Sequence, residues 1–428
     1  MAEKRMRELM AFLDASKSMY HAVAEISALM ESRGYTRLEE RAAWELAPGG
    51  KYYLTRGGSA IVAFRLPQGV AEGFMMSASH CDRPTFKVKE NPELVGKYTR
   101  LATEKYGGML MAPWLDRPLS VAGRVLVDTA DGVKTRLVDI DRDLMLIPNV
   151  AIHMNRKANE GYAYNPTCDT IPLLGGKDAA GKLHRELEKE AGGRILGHDL
   201  YLYVRQKAAV WGMDEEYISS AALDDLQCAW GCTQGFLNAQ QGQCVPVLCV
   251  FDSEEVGSSS VQGAASTLLA DVLERICEDR GWDRRRMLSQ SFMISADNAH
   301  ALHPNHPELA DSSNAPVVNG GVVLKFNASL RYTTDGVSAA VFRKVCGKAN
   351  VPVQTYCNRA DIPGGATLGH ISLGQVSVPT ADIGLAQLAM HSCYETAGVK
   401  DSQYLIDAMT AYYSSTLTVT GDGEYKLS

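Results

Sequence analysis

Val245-Pro-Val-Leu-Cys-Val-Phe-Asp-Ser-Glu-Glu-Val-Gly-Ser258 is the stretch whose reading decides the fold. Residues 245–251 are apolar and rich in β-branched side chains. That is the pattern of a strand covered on both faces. The run stops at Asp252, and the adjacent Glu254 and Glu255 precede Gly257 and three serines. In an open α/β sheet, ligands gather beyond the carboxyl ends of strands. Two like charges at such an end require a proton or a cation. A bound metal supplies the cation, with one glutamate as ligand and the other moving protons beside it. A surface turn with two solvated carboxylates is the competing reading.

Two other predicted strands end the same way. Gly73-Phe-Met-Met-Ser-Ala78 runs into Ser79-His80-Cys81-Asp82-Arg83-Pro84, and residues 287–294 read as a strand running into Ser295-Ala296-Asp297-Asn298-Ala299-His300. In extended chain His80 and Asp82 point the same way, so Asp82 can orient an imidazole that binds metal through its other nitrogen. A capped turn before Pro84 is the alternative. Asp224 and Asp225 open a predicted helix, where acids suit the positive helix end; Asp224 can equally face a cation. His391 closes an apolar segment at residues 383–390. His80, Asp224, Glu255, Asp297 and His391 therefore make a candidate ligand set of two imidazoles and three carboxylates. Such a set suits two divalent ions bridged by one carboxylate, and zinc, manganese or cobalt over calcium or copper. Two ions about 3.5–4 Å apart polarise a carbonyl and activate water. Glu254 is left free to take the water proton and pass it to a leaving amine.

The totals narrow the class. A chain of 428 residues has room for two or three domains. Hydrophobic content of 46% and charged content of 22% are those of a globular protein. A net charge of -7 leaves no electrostatic footprint for nucleic acid. No apolar run reaches the roughly 20 residues of a membrane span. The ten cysteines are scattered, without paired Cys-x-x-Cys motifs, and read as reduced thiols. The opening Met-Ala-Glu-Lys-Arg-Met leads into an amphipathic segment, not a signal peptide. The expectation is a cytoplasmic protein with no nucleic-acid or membrane partner.

Along the chain, periodicity predicts helices over residues 4–33, broken at Ser16-Lys-Ser18, then strands at 51–55 and 60–64 joined at Gly57-Gly58. From about Asn91 to Arg205, strand-like runs and a hairpin tip at Thr129-Ala-Asp-Gly132 predict an inserted, mostly β domain. His153 lies inside an apolar run there and reads first as a core histidine. Further helices are predicted at 264–277, 333–349 and 401–418. The glycine-rich loop Asp361-Ile-Pro-Gly-Gly-Ala-Thr367 lacks the spacing of a phosphate-binding loop.

The chain resembles the aspartyl aminopeptidases, dinuclear metallo-aminopeptidases that include vacuolar-type aminopeptidase I relatives. The resemblance covers nearly the whole chain. It rests on Phe12-Leu-Asp-Ala-Ser16 with His21-Ala-Val, Pro48-Gly-Gly-Lys-Tyr-Tyr, His80-x-Asp82-x-Pro84 and Leu223-Asp224. Asp252-x-Glu254-Glu255-Val-Gly-Ser258, Ser295-Ala-Asp297-x-Ala-His300, Gly321-Val-Val-Leu-Lys325 with Arg331-Tyr332, and Leu388-Ala-Met-His391-Ser392 complete it.

The resemblance implies an α/β fold: a mixed-sheet, phosphorylase/hydrolase-like catalytic domain (residues 1–92 and 206–428) with an inserted, mostly β dimerisation domain (93–205). It implies His80, Glu255, Asp297 and His391 as terminal metal ligands and Asp224 as the bridging carboxylate. Glu254 would be the general base and Asp82 the residue orienting His80. His300, Lys325 and Tyr332 match positions near the substrate. His153 matches a histidine that reaches a neighbouring subunit's site, with a third metal-binding histidine as the rival reading. Dimers assembling into a tetrahedral dodecamer, and peptides with a free N-terminus, preferably Asp or Glu, follow from the same likeness. Cys81, Arg83 and Asp225 depart from the family pattern, and Asp225 leaves open which of Asp224 and Asp225 bridges. An aminopeptidase preferring neutral residues, a metal-dependent deacylase or carboxypeptidase, and an inactive carrier protein are the alternatives.

Overall fold

The computed structural model describes residues 2–428. A nine-stranded sheet runs through its centre. Its order is Thr36–Arg37, Lys51–Arg56, Ala60–Arg65, Val245–Phe251, Phe74–His80, Phe292–Ala296, Thr380–Gly384, Val322–Phe326, Val353–Cys357. The inner strands Val245–Phe251, Phe74–His80, Phe292–Ala296 and Thr380–Gly384 are parallel, so their carboxyl ends share one edge. Every residue of these four strands is buried.

Alternation explains that burial. Val247, Cys249 and Phe251 face an apolar cluster with helix Leu268–Arg280. Leu248 and Val250 face the opposite cluster, with helices Met19–Ser32, Leu223–Asn238 and Val399–Ser414. Helices on both faces are what makes such runs continuously apolar. The hairpin at Gly57-Gly58 forms between Lys51–Arg56 and Ala60–Arg65, with both glycines at positive φ.

Four expectations need correction. Residues 287–289 finish a short helix, Arg284–Ser289, and the strand begins only at Phe292. The Asp283 side chain accepts from the Arg285 and Arg286 amides and starts that helix, so the cap overrides the apolar run. The helix expected from residue 264 begins at Leu268. The closing helix ends at Ser414, and a hairpin, Leu417–Gly421 with Glu424–Leu427, takes the remainder. His153 is exposed, flanked by Val150, Ile152 and Met154 that are also exposed, so it is no core histidine. Among the described residues, nothing covers that apolar stretch.

A six-stranded sheet, Gly132–Asp139, Leu119–Thr129, Ile195–Val204, Thr85–Val95, Tyr98–Tyr106, Leu173–Gly176, stands beside the central one. It packs on helix Lys182–Ala191 around its own apolar cluster. Its strand Thr85–Val95 starts before residue 93. A five-stranded sheet, Ala209–Trp211, Tyr217–Ser220, Glu395–Gly398, Ala386–Leu388, Ala299–His300, lies at the carboxyl end of the inner strands. It carries the turn before Asp224 and the loop that holds His391. Among the described residues no helix is long and apolar enough to cross a membrane.

Candidate metal centre

The strand register sets the first part of the site. His80 pairs with Phe251 on adjacent parallel strands, so the chain leaving each strand enters the same space. Asp297 follows the next strand over, Phe292–Ala296. Asp224 enters at the start of helix Leu223–Asn238, and His391 from the loop between Ala386–Leu388 and Glu395–Gly398.

Five residues from distant parts of the chain thus converge. Donor atoms of His80, Asp224 and Asp297 lie within 4.8 Å of one another, and so do those of Asp224, Glu255 and His391. A third group joins His80, Glu254 and Glu255. Asp224 is common to the first two. Its Oδ1 is 3.6 Å from His80 Nε2, and its Oδ2 is 3.5 Å from His391 Nε2. Glu255 Oε2 is 3.5 Å from the same His391 nitrogen. Asp225, the other candidate bridge, belongs to none of these groups: its Oδ2 accepts from the His80 backbone amide at 3.1 Å, although its buried Oδ1 also meets no donor among the described residues.

The residues fit divalent cations on a point independent of their identity. Asp224 Oδ1 and Glu255 Oε1 are buried and meet no hydrogen-bond donor among the described residues. A buried carboxylate oxygen without a donor is costly and marks a place for a positive charge. The protonation behaviour has the same origin. Burial pushes the Glu254 carboxyl up to about 8 and raises Glu255 well above the usual range, with neighbouring carboxylates adding to both. Burial likewise raises Asp297 to about 6. For Asp224, burial is outweighed by His391 and His80, which hold its carboxyl low. Bound metal cations would take the place of those protons.

Asp82 holds the cluster from below. Its Oδ1 accepts from the Glu254 amide at 3.0 Å and lies 3.3 Å from His80 Nδ1. Its Oδ2 accepts from the Glu255 amide at 3.1 Å. Sequence reasoning missed Glu395. This buried carboxylate accepts from the Asp224 amide at 2.9 Å and the His391 amide at 2.7 Å, tying two clustered residues together. A lone glutamate on a short strand carries no local signal for that.

The remaining candidates lie around the cluster. His300 lines a cavity of about 300 Å3 with Tyr356, Ala389 and Met390, next to His391. Lys325 and Tyr332 are buried, with the Lys325 ammonium 5.2 Å from the Tyr332 ring centre. That ammonium donates to the Asp297 and Asn298 carbonyls at 2.7 and 3.2 Å and lies 3.7 Å from Asp297 Oδ2. Two of its three donors are thus held by main-chain carbonyls, and its charge is paired with Asp297. His153 is not among the clustered donors.

Comparison with known proteins agrees in kind. A family model described as Aminopeptidase I zinc metalloprotease (M18) matches residues 12–413. The "Probable M18 family aminopeptidase 2" of Clostridium novyi (strain NT) is 42% identical over 95% of this chain and 98% of its own length. Among solved structures, one described as the cryo-EM structure of the Ape4 and Nbr1 complex is 34% identical with a TM-score of 0.93, over 96% of this chain and 86% of that one. The S. cerevesiae mApe1 dodecamer is 26% identical with a TM-score of 0.85, over 96% of both chains. With a match along nearly its whole length and carboxylates and imidazoles gathered at its strand ends, the chain belongs to the M18 family and is a metallo-aminopeptidase.

Proposed function

We propose that the protein releases the N-terminal residue of unblocked peptides at a centre of two divalent ions, zinc foremost, with Glu254 as general base. The observation that carries this reading is the position of Asp224 in two donor groups at once, with Glu254 beside them. His80, Asp224 and Asp297 would hold one ion, and Asp224, Glu255 and His391 the other. When bound, the ions supply positive charge that polarises the scissile carbonyl and lowers the pKa of water. Glu254 accepts the water proton and returns it to the leaving amine. Asp82 orients the work by fixing the His80 ring and the Glu254 and Glu255 backbone. The first residue's side chain would sit toward His300 and its cavity.

A preference for Asp or Glu has the family resemblance behind it. Lys325, with two donors on main-chain carbonyls and its charge 3.7 Å from Asp297 Oδ2, gives that preference no direct support. His153 would serve a neighbouring copy, which also accounts for the exposed Val150, Ile152 and Met154 around it. Residues 93–205 would then form the dimer contact, and dimers would build a tetrahedral dodecamer, the stoichiometry named for mApe1. Ten unpaired cysteines suit a cytoplasmic protein.

The test is residue release from a peptide series varying only the first residue, free and N-acetylated, with zinc, manganese or cobalt. Glu254→Gln should keep its metal and lose activity by about 10²–10⁴-fold, the range of general base catalysis. Undiminished cleavage of acetylated peptides, or an active Glu254→Gln, would refute the reading.

A further inference from the structure

Tyr106-Gly-Gly-Met-Leu110 leaves the six-stranded sheet and passes across the ligand cluster. Tyr106 is the last residue of strand Tyr98–Tyr106, paired with Thr85, and its ring meets Tyr201 edge-on at 5.5 Å. The sheet therefore holds the ring, while the hydroxyl leaves it and donates to Asp82 Oδ2 at 2.9 Å. That is the oxygen that also accepts from the Glu255 amide.

Gly107 follows at a φ of +77°, and a Cβ there would lie 3.1 Å from Glu255 Cβ and 3.3 Å from Glu255 O. The backbone conformation favours glycine, and a Cβ there would press on Glu255 by a few tenths of an ångström. At Gly108 the nearest atom to an added Cβ would be His391 Nδ1 at 3.9 Å, an ordinary contact. The Leu110 amide then donates to the His391 carbonyl at 3.0 Å. One short segment thus touches Asp82, Glu255 and His391, which reach the site from three separate parts of the chain.

We propose that residues 106–110 are a positioning strap through which the six-stranded sheet sets the geometry of the metal centre. Tyr106 is a positioning residue that acts through Asp82 on His80, Glu254 and Glu255. Gly107 is the close-approach point that lets the strap fix Glu255. A contact that reshapes the six-stranded sheet would reach the metal centre by this route. The proposal rests on the metal centre described above, but its zinc arm needs no peptidase activity.

Tyr106→Phe and Gly107→Ala, made in the full chain, test it by three readouts: zinc affinity in competition with a chromogenic chelator, kinetics on an unblocked peptide, and thermal melting. Tyr106→Phe should lower kcat by about tenfold with KM nearly unchanged, the low end of losses for residues that orient metal ligands. Gly107→Ala should weaken zinc binding by about 10–100-fold. A purely structural role would lower the melting temperature and leave zinc affinity and kcat per folded molecule alone. Wild-type zinc affinity and kcat in both Tyr106→Phe and Gly107→Ala would overturn the strap. If Gly107→Ala does not fold, Tyr106→Phe decides alone. A wild type that binds zinc but releases no residue would overturn the proposed function and leave the zinc measurements to judge the strap.

Discussion

Two regions of this protein bury carboxylates, and they do so in opposite ways. At the start of helix Val399–Ser414, Asp401 is fully buried, with Oδ1 accepting from the Gly321 amide at 2.9 Å and Oδ2 from the Asn319 amide at 2.6 Å. Asp382 is similar: Thr333 Oγ1 donates at 2.6 Å to one oxygen, and Thr367 Oγ1 at 2.8 Å to the other. In the strand-end cluster, Asp224 and Glu255 each leave a buried oxygen without a donor. Burial and acidity are alike in both regions. What differs is whether the lone pairs are filled by the protein. Filled carboxylates bind loops together; open ones grouped with imidazoles, as Asp224 and Glu255 are, leave room for a cation.

The comparison can be broken most severely at Asp224. Asp224→Ala removes a donor from two groups at once, so kcat/KM should fall by about 1,000-fold or more, several kcal/mol of transition-state stabilisation. Metal analysis of the same sample should find the protein depleted. Full metal content with near-normal turnover would show that Asp224 is a filled carboxylate after all.

A paired substitution sharpens the contrast at intermediate size. Asp401→Asn should cost about 1–3 kcal/mol by leaving a buried amide poorly matched, with metal content per folded chain unchanged. Glu255→Gln should do the reverse. It should lose metal, yet the metal-stripped protein should be as stable as the wild type, because burial already favours the uncharged Glu255. Denaturant melts of metal-loaded and stripped samples separate the two.

The smallest expected effect is a pH dependence. Asp297 and Glu254 have folded-state values raised to about 6 and about 8. For a raised carboxyl, the stabilising contribution is complete below its unfolded value and is lost as pH rises through the folded one. The metal-stripped protein should therefore lose melting temperature from about pH 4, near the unfolded values, up to about pH 8. Zinc should reverse that trend, and its addition to the stripped protein should release protons. A stripped protein indifferent to pH in this window would mean that the cluster is hydrated rather than buried.

Much of this molecule was legible in the sequence. The continuous apolar runs at 74–78 and 245–251 read as doubly covered strands because helices lie on both faces of the sheet. The residues at their ends, His80, Glu254 and Glu255, were visible because charge directly after such a run is unusual. Legibility failed where a cap, a partner or distant contacts decide. Asp283 turned an apolar stretch at 287–289 into helix. The apolar residues around His153 suggested a core that this chain does not build.

By itself, the sequence determined the local alternation that makes the inner strands, the residue types at their ends, and hence a cluster of imidazoles and carboxylates. The tertiary structure alone decided which of Asp224 and Asp225 joins the clustered donors, since the answer depends on His80 and His391 arriving from either side. It also revealed Glu395, whose contact with Asp224 spans 171 residues, and Tyr106, which reaches Asp82 from a different sheet. The reason is physical. Strand and helix follow from neighbours along the chain, whereas an oxygen is left open or filled by whichever donors the completed fold brings beside it.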